Sequence, residues 1–393
     1  GGGEGGSGSE AWWLDEVFEL EEVTVAELAE QMASGARTSE EITGLYLDRI
    51  AALDRDGPRL RSIIETNPEA LQVARQLDEE RAAGNVRGPL HGVPIVLKDN
   101  IDTADAMTTT AGSFALEGHV AARDSGVAAR LRAAGAVLLA KANLSEWANI
   151  RSSRSSSGWS ARGGQCGNAF AVDRNPCGSS SGSGASVSAN FCAGAIGTET
   201  NGSIVCPSSI NGVVGLKPTV GLVSRAGIVP ISHSQDTAGP MTRSVADAAA
   251  ILSALAGPDP RDPMTSEAAR FEGTDYTQFL NADALQGARI GIPRASYYDS
   301  VQVPGTDRFR GGLSDEARAL MAEAIEILQA QGATIVDPAE IPSVNDPDPE
   351  NNQLLAGGSS VLSYGAKRDF NAWLASLGES SPVKTMTELR EWN

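Results

Sequence analysis

Residues 178–207, GSSSGSGASVSANFCAGAIGTETNGSIVCP, constrain this chain more than any other stretch. A Gly/Ser cluster at 178–184 and a second small-residue cluster, Thr200-Asn201-Gly202-Ser203, enclose a mostly apolar run of small side chains. Flexible linkers stay polar throughout, so this stretch is not one. Small residues on either side of a buried segment predict tight turns where backbone comes close to another group, and a substrate is one such group. Upstream, residues 92–100 read GVPIVLKDN, a buried, β-branched strand that ends at Lys98. Lysine is rarely buried without partners. Held in a low dielectric it gives up its proton more easily and serves as a base near neutral pH.

Around this centre the chain alternates strand and helix signals, which predicts an α/β fold with a large mixed β-sheet flanked by helices. Thr24 with Glu27, and Thr38 with Glu41, stand in capping-box spacing and open two helices. Asp56-Gly57-Pro58 ends the second, and residues 68–83 predict a third. Residues 93–97 and 136–140 read as strands and 126–134 as a helix. Residues 185–195 predict a small-residue helix, and residues 246–255 a helix that starts after Ser244. Beyond Gly257 the pattern weakens to a strand at 288–292, a helix at 315–331 and a strand at 333–336. The expected organisation is a flexible Gly/Ser tether (1–10), an N-terminal helical cover (11–85) and a catalytic part (86–393), with the last two forming one continuous domain.

Net charge is −19, from 31 basic and 50 acidic residues. Such a surface repels nucleic acid and anionic membranes, so no nucleic-acid partner is expected. No apolar run is long enough to span a membrane. The opening GGGEGGSGSE fits a trimmed flexible end and equally the tether of an exported, lipid-anchored protein, so a periplasmic or surface location and a cytoplasmic one both stay open. The four cysteines form no C-x-x-C pair, and with three histidines no metal site and no cofactor is expected. Cys192 and Cys206 read as buried small hydrophobes, while Cys166 and Cys177 flank a loop and are the pair open to bridging.

Lys98, the cluster at Ser179 and the cluster at Ser203, together with the spacing of the two serines, resemble the amidase signature family. Residues 212–246, GVVGLKPTVGLVSRAGIVPISHSQDTAGPMTRSVA, read the same way. NLSEWAN, GWSARGGQ and GTETNGSIVCP are similar to bacterial peptide amidases. The resemblance runs from about residue 23 to about residue 292. It implies the amidase signature fold, here shortened at its C-terminal side, and hydrolysis of carboxamides such as C-terminal peptide amides or other primary amides. It implies Ser203 as the nucleophile, Ser179 as a bridging serine held through a cis peptide bond, and Lys98 as the base. It also implies an oxyanion hole made by the backbone N–H groups of Thr200, Asn201, Gly202 and Ser203. Ser180 and Asp99 are expected to support Lys98 and Ser179 from behind.

The chemistry fits such a set. An amide is a poor electrophile and ammonia a poor leaving group, so a nucleophile, a proton relay and oxyanion donors are all needed. His91, His119 and His233 lie in no nucleophile-elbow context, and His91 and Asp236 read as structural. Two positions depart from the family. Asn201 stands where peptide-amidase-like sequences have Asp, and Val205 stands where many members have Arg. Val205 predicts an apolar pocket wall suited to a neutral substrate. Two other readings remain: the amidase subunit of a tRNA-dependent amidotransferase, and an inactive binding remnant.

Overall fold

The computed structural model describes residues 17–152, 154–348, 350–353 and 360–392. The tether expected at 1–10, and the first residues of the helical cover, lie outside these. Two compact units divide the chain. One holds the described residues up to Thr277 and those from Ser363 on, and the other runs from Gln278 to Leu362.

The first unit is built on a six-stranded mixed sheet. In chain order its strands are β1 (Ile63–Thr66), β2 (Pro94–Lys98), β3 (Val137–Ala142), β4 (Gly194–Glu199), β5 (Val214–Gly215) and β6 (Thr237–Thr242). Their spatial order is β1-β3-β2-β4-β6-β5. The central trio β3-β2-β4 is parallel; β1, β6 and β5 add antiparallel to the two sides. Every residue of β2, β3 and β4 is buried. Parallel strands covered on both faces read as continuous apolar runs, and PIVLK and VLLAKA are such runs. Each carries one lysine, Lys98 and Lys141, and both are fully buried.

The helices cover this sheet. α1 (Val25–Ser34) and α2 (Ser39–Ile50) both start in complete capping boxes, from Thr24 with Glu27 and Thr38 with Glu41. α3 (Ala70–Ala82) and α4 (Gly126–Ala133) follow. The segment expected as a purely helical cover also supplies β1, which pairs with β3. The helix expected over 185–195 is in fact two elements. α5 (Ser181–Ser188) begins inside the Gly/Ser cluster, and the chain then turns at Asn190, in the left-handed region at φ 57°, and enters β4. Small side chains serve both parts, since they let α5 pack tightly and let β4 sit between β2 and β6. α6 (Val205–Ile210) follows the second cluster, and α7 (Val245–Leu255) starts at the Ser244 cap. The core joins Ile95, Val96 and Leu97 of β2 to Leu138, Leu139, Phe191 and Ile196, and each such side chain contributes on the order of 1.5–3 kcal/mol.

In the second unit, β7 (Arg289–Gly291) pairs in parallel with β8 (Thr334–Val336), and α8 (Asp315–Ala330), capped by Ser314, connects them. No helix among the described residues is long and apolar enough to cross a membrane.

Candidate active site

The C-terminal ends of β2 and β4 lie side by side, with Leu97 in register with Ile196. This places Lys98 beside Thr198. The Lys98 amine is fully buried and donates to Ser179 Oγ at 2.7 Å, Thr198 Oγ1 at 2.9 Å and the Thr198 carbonyl at 3.3 Å. Burial lowers its pKa from 10.5 to about 7, against the opposing pull of the Glu199 and Asp236 charges. A buried lysine with a pKa near neutrality is a base at physiological pH.

Ser179 follows a cis Gly178–Ser179 peptide bond. A Cβ on Gly178 would collide with the hydroxyls of Ser145 and Ser181, so only glycine fits there. The Ser179 carbonyl accepts the Ser145 N–H at 3.0 Å. The next residue, Ser180, donates its N–H to the Ser203 carbonyl at 3.2 Å and so ties the two serine segments together. The Ser180 hydroxyl donates to the Thr198 carbonyl and accepts the Thr198 N–H, each at 3.1 Å. Its support of Lys98 therefore runs through Thr198.

Ser203 and Ser179 line one small cleft, with Asn100, Thr198, Thr200 and Asp236 on its polar side and Ile228, Val229 and Ile231 on its apolar side. Among the described residues no hydrogen bond joins the two serine hydroxyls. Gly202 turns the loop before Ser203 at φ 82°. Its N–H, expected in the oxyanion hole, is engaged by Glu199 Oε1 at 2.8 Å. The N–H groups of Thr200, Asn201 and Ser203 have no acceptor among the described residues. The Asn100 amide donates to Thr198 Oγ1 at 3.0 Å, and its Oδ1 is buried with no partner among the described residues.

Three expectations are corrected. Asp99, expected behind Lys98 and Ser179, faces the other way. Its carboxylate takes Thr110 Oγ1 at 2.5 Å and the Gly112 N–H at 3.0 Å, and it is held in the field of Lys141. Neighbouring residues of a strand end point to opposite sides, so Lys98 and Asp99 cannot both face the cleft. Asp236, read as structural, lines the cleft and accepts the Thr200 hydroxyl at 2.5 Å. Val205 is no pocket wall: it is 46% exposed at the start of α6. The apolar wall comes from 228–231, and the cation at the cleft is Arg225, closed by a two-pronged pairing with Asp262. His91 is structural as read, buried with its Nε2 2.8 Å from the Leu77 carbonyl.

The cysteine reading also changes. Cys177 is bridged to Cys206 across a Cα–Cα distance of 6.0 Å, while Cys166 and Cys192 are buried free thiols. Cys166 lies in the core, and burial pushes its thiol pKa up well above the ordinary value. Cys177 and Cys206 lie far apart in sequence but flank the two serines. Among the described residues no cluster of acidic, His or Cys side chains is arranged to hold a metal ion.

The amidase family model matches residues 41–389. A probable amidase of Arabidopsis thaliana is 42% identical over 389 residues, covering 97% of this chain and 69% of its own length. The solved structure of native peptide amidase from Stenotrophomonas maltophilia superposes with a TM-score of 0.84 at 47% identity, over 96% of this chain and 72% of that one. A glutamyl-tRNA(Gln) amidotransferase subunit of Myxococcus xanthus is 39% identical, over 81% of this chain and 61% of its own. The chain spans about half the length of two fungal relatives. The likeness thus reaches plants and fungi and is not confined to bacteria.

Proposed function

Because this chain belongs to the amidase family, we propose that it hydrolyses carboxamides, C-terminal peptide amides or other primary amides, to a carboxylate and ammonia. One observation carries the reading: a fully buried Lys98 amine, its pKa lowered by burial to about 7, in hydrogen-bond contact with the Ser179 hydroxyl, which itself lines one cleft with Ser203.

In this reading Lys98 first loses its proton, so the 2.7 Å contact with Ser179 reverses and the Ser179 hydroxyl donates to the amine. Neutral Lys98 then draws the Ser179 proton, and Ser179 draws the Ser203 proton as the Ser203 oxygen attacks the amide carbon. The hydroxyls close to hydrogen-bond distance once substrate fills the cleft, as catalytic contacts commonly tighten on binding. The oxyanion is held by the N–H groups of Thr200, Asn201 and Ser203, donors that need no reorganisation. The relay then returns a proton to the nitrogen, ammonia departs and an acyl ester remains on Ser203. Water, activated by the same relay, releases the carboxylate. Asn100 lines the cleft and its Oδ1 has no partner among the described residues, which supports a contact with the substrate NH₂ group and a preference for primary amides over esters. The wall of Ile228, Val229 and Ile231, with Arg225 already paired, favours an uncharged acyl group.

Ammonia release from amidated dipeptides, followed by mass spectrometry of the acid product, tests the proposal. Absence of ammonia release from every amide tested would refute it, whether or not a fluorophosphonate labels Ser203. The amidotransferase reading rests on the Myxococcus relative. It predicts turnover that appears only with a partner protein.

A further inference from the structure

Two buried carboxylates bracket the loop between β4 and α6 and carry out no step in the scheme above. Glu199, the last residue of β4, accepts the Gly202 N–H on Oε1 at 2.8 Å. Its Oε2 accepts the N–H groups of Ile204 at 2.7 Å and Val205 at 3.0 Å. Asp236 comes from the other side. One oxygen takes the Thr200 hydroxyl at 2.5 Å and the other takes the N–H groups of Ile231 at 3.0 Å and Ser232 at 2.9 Å. Thr200, Gly202, Ile204 and Val205 are therefore fixed, while the N–H groups between them, on Asn201 and Ser203, have no acceptor among the described residues. An Asn-Gly turn without such anchors would sample many backbone states, and ordering it would cost conformational entropy. A buried carboxylate is kept only where it is well paired, and each of these accepts three hydrogen bonds.

We propose that Glu199 and Asp236 are positioning residues that act as a two-sided clamp on residues 200–205, turning the N–H groups of Asn201 and Ser203 toward the reacting carbonyl and aiming the Ser203 hydroxyl. This rests on the hydrolase reading above. The clamp also has an electrostatic side. The same two charges are the groups that oppose the loss of the Lys98 proton, Glu199 more than Asp236. The other charged groups nearby act elsewhere. Arg225 is paired with Asp262, His233 lies beside Asp236 and Asp369, and Lys141 with Asp99 sits on the far side of β2. The two side chains that fix the loop thus also counter the burial that frees the Lys98 lone pair.

The test compares wild type with Glu199→Gln, Asp236→Asn and Thr200→Val, measuring kcat, KM and the pH profile of kcat/KM. Glu199→Gln removes one charge and leaves a single acceptor oxygen for three N–H groups. It should lower kcat roughly 10–100-fold with KM changed less than about threefold. It should also move the acid limb of the profile down by roughly one pH unit. Asp236→Asn should move the limb the same way and by less. Thr200→Val cuts the clamp without altering charge, so kcat should fall while the limb stays in place. A folded Glu199→Gln protein with kcat within about twofold of wild type and an unmoved limb overturns the proposal. If Glu199→Gln does not fold, the opposed signatures of Asp236→Asn and Thr200→Val decide, and identical profiles for those two overturn it. If wild type releases no ammonia from any amide, the hydrolase reading fails by itself. The rate of fluorophosphonate labelling of Ser203 against pH, in wild type and Glu199→Gln, then still decides the clamp by the same shift.

Discussion

Replacing Lys98 by methionine should abolish turnover and yet stabilise the fold, with a gain that fades as pH rises. The amine is fully buried, and burial takes its pKa from 10.5 to about 7. Between those two values the unfolded chain binds a proton that the folded one does not, so wild-type stability rises with pH across that window. Below the folded value both states are protonated and the full cost of burying the charge is felt. Above the unfolded value both are neutral and the cost is gone. The gap between the two values is worth roughly 4–5 kcal/mol at its full extent. Methionine fills similar volume and removes this cost, but it forfeits the amine's hydrogen bonds to Ser179 and Thr198, about 1–2 kcal/mol together. The net gain should be roughly 2–4 kcal/mol at about pH 6, and it should shrink by roughly 2–3 kcal/mol by about pH 9. Denaturant titrations of both proteins at a series of pH values measure this, because the titrating groups that do not interact with Lys98 cancel in the difference. A variant less stable than wild type at about pH 6, or a difference that does not change with pH, refutes the buried neutral amine.

The remaining predictions concern rate and structure. Below about pH 7 the wild-type kcat/KM should climb about tenfold per pH unit, then level off, as Lys98 loses its proton; a flat profile from about pH 5 to 7 contradicts this base. Ser203→Ala should remove fluorophosphonate labelling altogether, whereas Ser179→Ala should leave slow turnover, lower by roughly 10²–10⁴, in a steady-state assay. Asp99→Asn should leave the acid limb unmoved, because its carboxylate faces Thr110 and Gly112, and should destabilise by roughly 1–3 kcal/mol in thermal unfolding. Reduction of the Cys177–Cys206 bridge should lower stability by roughly 2–4 kcal/mol, read as a lower Tm with dithiothreitol present.

Much of the centre was legible because Lys98, Ser179 and Ser203 stand in the order, spacing and flanking sequence that resemble a known family. Singly, a lysine closing a strand reaches solvent and serines among glycines make turns; only the combination points to a site, and Lys98 and Ser179 do meet in space. The capping boxes at Thr24 and Thr38 were legible because they are local. What escaped depends on direction and on distance in the chain. Asp99 follows Lys98, but strand alternation sends it to the opposite side, a fact no motif states. Thr198 and Glu199 look like ordinary strand residues; only the register of β2 against β4 shows that Thr198 receives the Lys98 amine. Asp236 needs the antiparallel return of β6 alongside β4 to reach Thr200. The missed β4 strand shows the limit of propensity, since AGAIGTE has too few branched side chains to announce a strand and is one only because β2 and β6 flank it. Glu199 does leave a trace in the sequence: an acidic residue at the end of a small apolar run, just before a Gly-Ser turn, is a carboxylate in need of backbone donors.

The bridge between Cys177 and Cys206 closes the chain into a ring. Inside that ring lie both serines, the helix that starts behind one and the strand that leads to the other. A protease that nicked the backbone anywhere between the two half-cystines would therefore not part the hydroxyls; the fragments would stay covalently joined, with position 179 and position 203 on one molecule. Under reducing conditions a cut between positions 179 and 203 would leave them joined by packing and hydrogen bonds alone.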